Sequence, residues 1–273
     1  MTDQPTYGTL KLAMVGGSGR VGSALRKELA PLVQSILILG RNEPEDLAPN
    51  ERYMEVDMSE VDKMRSAFEG MDGVIHMAGI PKEAPLEDII QVNVVGTSNV
   101  YEAARLAKVP RVVLGSSNHS IGYYPRDTVV SATSQMRPDG LYGLSKCWTE
   151  LVAGLYYDKY DIRSLIIRIG NASKQPKTLR SLEVWVSPAD LCQLTLIGLT
   201  HPDVDATTVF GVSAGGGSWW DNSSATRLGY QPKDVIAEHA PAELATEDES
   251  EAALFYQGGR FAAANHVGGI RKR

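Results

Sequence analysis

The fold class this sequence predicts is α/β, a doubly wound parallel sheet, and three observations predict it. Short apolar runs alternate with stretches of helical periodicity from the start of the chain to about residue 170. Several of those runs are apolar throughout rather than alternating, as in strands covered on both faces. The first run passes directly into a glycine-rich turn and then a helix, the order a βαβ unit requires.

The elements follow in order. LKLAMV (10–15) reads as the first strand, and a helix from Arg20 to about Ala30 carries Val21, Leu25 and Leu29 on one side. SILILG (35–40) is a second strand with no polar face, RYMEVD (52–57) a third, and SEVDKMRSAFEG (59–70) a helix. GVIHMAG (73–79) is the fourth strand, a long helical stretch spans roughly 85–107, and RVVLGSS (111–117) is the fifth. The helix holding Tyr142 and Lys146 and the strand RSLIIRIG (163–170) complete the pattern. We expect a single Rossmann-type domain over 1–273, with a dinucleotide-binding core at 1–170. The less regular segment 171–273 is expected to form a small C-terminal substrate-binding lobe and tail. HAPAELATEDES (239–250) and the closing IRKR are expected either to be mobile or to pack against another subunit.

Composition excludes several function classes. A formal net charge of −6 argues against nucleic acid or an anionic membrane surface as the main partner. Two cysteines, Cys147 and Cys192, form neither a disulfide framework nor a metal cluster, and both read as small buried hydrophobes. No metal site is expected. The N-terminal residues lack a basic stretch leading into a long apolar run, and nowhere do eighteen apolar residues run together. The expected location is the cytoplasm.

Gly16, Gly19 and Gly22 lie between the first strand and the first helix as G-x-x-G-x-x-G, and Gly17 completes an overlapping G-x-G-x-x-G. Glycines there permit a tight turn and let backbone N–H groups reach a pyrophosphate at the helix N-terminus, beside Arg20 and Val21. At the end of strand two a carboxylate would accept bonds from the ribose 2′-OH of NAD; this chain reads Gly40-Arg41-Asn42 instead. Arg41 could pair with a 2′-phosphate or be a solvated arginine, and Glu43 or Glu45 could still reach the ribose. The local chemistry leans to NADP and leaves NAD open. Asp57 and Met58, after strand three, are candidate adenine contacts, and Ala78 and Gly79, closing strand four, candidate cofactor contacts.

YGLSK (142–146), just after the turn-like RPDG (137–140), puts Tyr142 and Lys146 on one helix face. Tyr-x-x-x-Lys alone is uninformative. Here the parallel sheet brings its strand ends together, so Ser117 at the end of strand five would meet Tyr142 and Lys146 beside a nicotinamide. A phenol titrates near 10, too high for a base at neutrality, and a nearby ammonium favours the phenolate. The set fits proton abstraction coupled to hydride transfer.

The glycine loop, Asn93, Ser117 and Tyr142-x-x-x-Lys146 together resemble the extended short-chain dehydrogenase/reductase superfamily. SSNHSIGYYPR (116–126), RIGNASKQPKTLRSLEVWVSPADL (168–191), VFGVSAGGGSWWDNSSATRLGYQP (209–232) and YQGGRF (256–261) narrow the resemblance to uronate dehydrogenases. Nearly the whole chain is covered. The resemblance implies NAD-dependent oxidation of C1 of glucuronate or galacturonate to a lactone, in a homo-oligomer. It implies Tyr142 as base, Lys146 as its partner and ribose anchor, and Ser117 as the hydroxyl holding the C1 oxygen. Asn93 then supports a relay water, Asn118 and His119 touch sugar hydroxyls, and Arg180 grips the C6 carboxylate.

Three positions depart from the family pattern. Asn171 and Pro81 stand where the family has serines, and Gly40-Arg41 replaces the acidic NAD-selecting residue. Lys174, near Arg180, could add charge for the substrate's anionic end. The same chemistry on a neutral or 6-sulfonated sugar, a sugar-nucleotide epimerase or reductase, and a non-catalytic nucleotide sensor are the alternatives. Structural readings stand beside the functional ones: Arg180 could pair with Glu183, His119 could be structural, and Asp221 reads as a helix cap. His76 reads as core or as support behind the site, and Trp185, Trp219 and Trp220 as packing.

Overall fold

A computed structural model describes residues 7–245 and 250–271; residues 246–249 of the acidic stretch and the last two residues of IRKR lie outside it. The chain runs β1 (Lys11–Val15), α1 (Arg20–Leu29), β2 (Ser35–Gly40), β3 (Glu51–Glu55), α2 (Val61–Phe68) and β4 (Gly73–His76). A short α3 (Leu86–Ile89) passes through a π-helical stretch (Ile90–Val95) into α4 (Gly96–Leu106), and β5 (Arg111–Ser117) follows. Next come β6 (Val130–Ser131), α5 (Leu141–Tyr160), β7 (Arg163–Ile169), α6 (Ser181–Val184), α7 (Pro188–Thr200), β8 (Ala206–Gly211) and β9 (Trp220–Asp221).

Seven strands form one sheet in the order β3-β2-β1-β4-β5-β7-β8, parallel at every pairing. The order reverses between β1 and β4, which opens a crevice at the carboxyl ends of those strands. Alternate strand residues supply two cores, one per face. Leu12, Met14, Ile36 and Ile38 pack with Leu25 of α1 and Leu191 of α7 on one side. Ala13, Val15, Leu39 and Val74 pack with Met64 and Phe68 of α2 and Tyr101 of α4 on the other. Burial on both faces is why these strands read as unbroken apolar runs.

Residues 171–273 do not all lie outside the sheet. Helix α7, capped by Ser187 Oγ on the Asp190 amide at 3.0 Å, packs beside α1, and β8 pairs with β7 as the edge strand. The expected division at residue 170 therefore falls between adjacent strands of one sheet. What stands over the strand ends is assembled from 118–139, 171–187 and the segments after β8. Their core contains Ile121, Val130, Trp185, Phe210, Trp219 and Trp220, so the tryptophans are packing residues. Asp221 accepts from the Ser223 amide at 2.9 Å, a local turn at the start of the next helix. No described helix is long and apolar enough to cross a membrane, and no described cluster of His, Cys, Asp and Glu could hold a metal.

Candidate active site

The glycine loop shows which groups it is shaped to hold. Gly16 takes φ +89°, and a Cβ there would run into the backbone of Ala78. A Cβ at Gly22 would overlap the Gly16 carbonyl, so α1 can approach the loop only through glycine. Gly19 occupies the N-cap position of α1 with no capping side chain, and the first turn has no acidic residue. The amino end of a ten-residue helix is thus left for an external anion, with Arg20 and Val21 lining the cavity in front of it. Ala78 and Gly79 form the facing wall. These residues fit a dinucleotide pyrophosphate.

At the other end of that crevice, Arg41 is exposed just past β2, and Asp57 lies past β3. Asp57 accepts from the amide and hydroxyl of Ser59 at 2.9 and 2.7 Å. Those bonds hold its carboxyl below the usual range, and the Arg41 charge adds to the effect. Arg41 is therefore already within electrostatic reach of a carboxylate of this chain. Met58 packs against Gly96, and its carbonyl accepts from Asn99 Nδ2 at 2.9 Å.

Tyr142 sits in the first turn of α5, and Glu83 sets where that turn begins. The Leu141 and Tyr142 amides donate to the Glu83 carboxylate at 3.1 and 2.9 Å. A carboxylate at a helix N-terminus satisfies unpaired amides and meets the positive end of the macrodipole. Ser117, the last residue of β5, lies beside the Tyr142 phenol and acts on its titration. Lys146, one turn on, donates from Nζ to the Gly115 carbonyl at 2.8 Å, with Nζ 5.9 Å from the Tyr142 ring centre. All three line one cavity of about 420 Å³.

The electrostatics differ from the sequence expectation. Burial pushes the Tyr142 phenol above its usual range; Ser117 opposes that, Asp139 adds to it, and Arg20 opposes it. Lys146 is not among these causes. Its own ammonium is pulled down to about 8 by burial, against the charge of Glu150 one turn further along α5. Glu150 is itself buried, bonded by Arg168 Nη2 at 2.8 Å and Ser116 Oγ at 2.6 Å. His76 is enclosed behind the site with Nε2 2.9 Å from Thr97 Oγ1, and burial lowers it to about 3.

Asn93, on the π-helical stretch, is buried and spends its amide on protein partners. Its Oδ1 accepts from the Ile80 amide at 2.7 Å, and Nδ2 donates to Ile80 O and Ser145 Oγ at 3.1 and 3.0 Å. It braces the loop after β4 against α5. The turn after Ser117 sends neighbouring side chains in opposite directions. His119 faces the cavity, whereas Asn118 is wholly enclosed, with no described partner for either amide atom.

Asn171, Pro81 and Arg180 line the substrate end. Arg180 Nε donates to the Gln257 carbonyl at 2.7 Å. Lys174 is exposed and does not line this wall, and the carbonyl of its neighbour Ser173 accepts from Trp185 Nε1 at 2.8 Å. Cationic side chains there come instead from Arg126 and Arg260.

The model of the "NAD dependent epimerase/dehydratase family" matches residues 12–174, more than half of the chain. The chain belongs to this family. Among characterised epimerase/dehydratase-family proteins, the uronate dehydrogenase of Pseudomonas putida is 40% identical, with 93% of this chain and 96% of that protein covered. The crystal structure of glucuronic acid dehydrogenase from Chromohalobacter salexigens superposes with a TM-score of 0.85 at 38% identity, covering 94% of this chain and 98% of that one. A point mutant of Agrobacterium tumefaciens uronate dehydrogenase in complex with NAD gives 0.84 at 34% identity, covering 97% and 100%.

Within this family fold, sequence reasoning missed Glu83, Arg126, Arg260 and Phe261. YQGGRF carried only resemblance. The structure stitches that segment over the site, with the Gln257 and Gly258 amides donating to Tyr124 O and Gly122 O at 2.9 and 2.8 Å.

Proposed function

We propose that this chain oxidises C1 of a uronate, glucuronate or galacturonate, to its lactone with NAD as hydride acceptor. One observation carries the reading. A single cavity is lined by Arg20 and Val21, which follow the glycine loop at the start of α1, by the Ser117–Tyr142–Lys146 set, and by Arg180, Arg126 and Arg260. The nicotinamide supplies the carbon that receives hydride. Ser117 Oγ orients the C1 oxygen, and Tyr142 Oη takes its proton. Lys146 anchors the cofactor ribose through its ammonium group. Arg180 binds the C6 carboxylate, and His119 and Asn171 contact sugar hydroxyls. Asn93 keeps the loop after β4 at its distance from α5. NAD is the cofactor of this reading because the family is NAD dependent and because the Arg41 charge already acts on Asp57.

We further infer a homo-oligomer acting in the cytoplasm. Leu144, Trp148, Leu151 and Leu155 form an exposed apolar stripe along the outer face of α5, beside exposed Leu86 and Ile90. Such a stripe at helical spacing is what an isologous contact between two copies would cover.

The test is a panel of uronates and neutral aldoses, each with NAD and NADP, followed by reduced-cofactor absorbance. Turnover of glucuronate or galacturonate with NAD is expected. Tight NAD binding with no oxidation of any uronate would refute the reading.

A further inference from the structure

His119 and Asp139 form a pair that none of the roles above explains. His119 Nδ1 lies 2.6 Å from Asp139 Oδ2. The Asp139 side chain is fully enclosed at 0% exposure, while His119 keeps 9%, its open part facing the cavity. The imidazole stacks on Phe261 with ring centres 4.0 Å apart and meets Tyr142 edge-on at 5.8 Å. It is thus clamped between the C-terminal segment and the proposed base.

The carboxylate occupies space cleared by three separate parts of the chain. A Cβ at Gly122 or Gly258 would overlap its Oδ2, and a Cβ at Gly143 would come within 3.0 Å of its Oδ1. Asp139 Oδ1 has no hydrogen-bond partner among the described residues. A buried carboxylate with one oxygen unsatisfied is expensive, and an apolar side chain would fill the same space at lower cost. Its chemistry toward the ring is what an apolar residue lacks. An ionised carboxylate only accepts hydrogen bonds, so Nδ1 carries a proton whether the imidazole is neutral or charged. Rotating the ring by half a turn would set a C–H against Oδ2, so the orientation is fixed along with the proton. Nε2 is the nitrogen left for the cavity.

We propose that Asp139 is a positioning residue for substrate selection: it locks the His119 ring so that Nε2 meets a sugar hydroxyl beside Tyr142, in space provided by Gly122, Gly143 and Gly258. The partner hydroxyl rests on the dehydrogenase reading above; the lock itself rests on geometry. Neutral Nε2 is an acceptor only, so a sugar whose hydroxyl at that position points elsewhere loses the bond. Asp139→Asn keeps the shape but can present either an oxygen or an NH2 group to Nδ1, and the ring then has two satisfied tautomers.

Two measurements test this. In ¹⁵N-histidine-labelled wild-type protein, which has five histidines, the ring resonance lost in His119→Gln should report an Nδ1–H imidazole; an Nε2–H tautomer overturns the proposal. That readout needs no turnover, so it stands even if no uronate is oxidised. In a double-mutant cycle, Asp139→Asn should raise KM for the uronate about tenfold, the worth of one hydrogen bond, with NAD affinity unchanged. In the His119→Gln background the same change should alter KM less than about twofold. Equal effects in both backgrounds, or a parallel loss of NAD affinity, would mean that Asp139 serves the fold alone. If Asp139→Asn does not fold, the wild-type tautomer decides.

Discussion

Lys146 and Glu150 lie one turn apart on α5, and the carboxylate acts on the ammonium inside the protein: burial holds the ammonium to about 8, and the carboxylate limits the fall. The ammonium is spent on the Gly115 carbonyl at 2.8 Å. Because the folded value lies below the ordinary 10.5, the unfolded chain binds more protons between about 8 and 10.5. The burial penalty is therefore full below that window and relieved as pH rises through it. Lys146, the ribose anchor of the proposed function, loses its charge over the same range. NAD affinity, measured by titration calorimetry, should weaken as pH rises through about 8, and Lys146→Met should remove that dependence.

In the proposed function Tyr142 moves the proton. Tyr142→Phe keeps the ring that meets His119 and deletes the hydroxyl beside Ser117. Steady-state kinetics should show kcat falling by roughly 10²–10⁴-fold, the usual worth of a positioned base. NAD affinity should stay within about twofold. Turnover near the wild-type rate would remove Tyr142 from the mechanism.

Glu83 links stability to activity. Its carboxylate is the partner of the Leu141 and Tyr142 amides. Glu83→Ala should cost about 1 kcal/mol, as other N-terminal helix caps do, and kcat should fall more than KM rises because the helix start carries Tyr142. Thermal denaturation with steady-state kinetics checks both, and Glu83→Asp should restore less than the full effect because the shorter side chain reaches less far.

In the proposed function Arg180 binds the anionic end of the substrate. A charge-assisted bidentate contact is worth roughly 1.5–3 kcal/mol. Arg180→Ala should thus lower kcat/KM for glucuronate about 10- to 100-fold and leave any activity on neutral aldoses nearly unchanged. A uniform loss across all sugars would assign Arg180 to the wall built by Gln257 instead.

The parts of the fold legible in the sequence are those whose local burial leaves a pattern. Strands β1, β2, β4, β5 and β7 are covered on both faces, and their apolar runs announce them. Strand β8, ATTVFG, is an edge strand with three half-buried residues, and its mixed pattern resembles a loop. Helix α7 is buried along nearly its whole circumference, so it lacks an apolar stripe; Ser187 and Pro188 at its start were the available sign. The same limit applies at the site. Ser117, Tyr142 and Lys146 are legible because strand ends and helix starts of a parallel sheet converge. Glu83, Asp139 and Gly258 act through tertiary contacts about 20 or more residues distant, and no local spacing records those.

The π-helical stretch at Ile90–Val95 makes the reach of Asn93 depend on residue number as well as residue type. A wider turn accommodates one residue more than an α-helical turn would. Deleting a single residue there would let the segment relax to regular α-helix with the flanking helices close to their present phase, so that the residues inside the stretch take new directions. Asn93 would then point away from Ile80 and Ser145 even though every named side chain of the site was still present. Helical phase is in this sense a component of the enzyme, and a one-residue deletion is a lesion that no side-chain substitution can imitate.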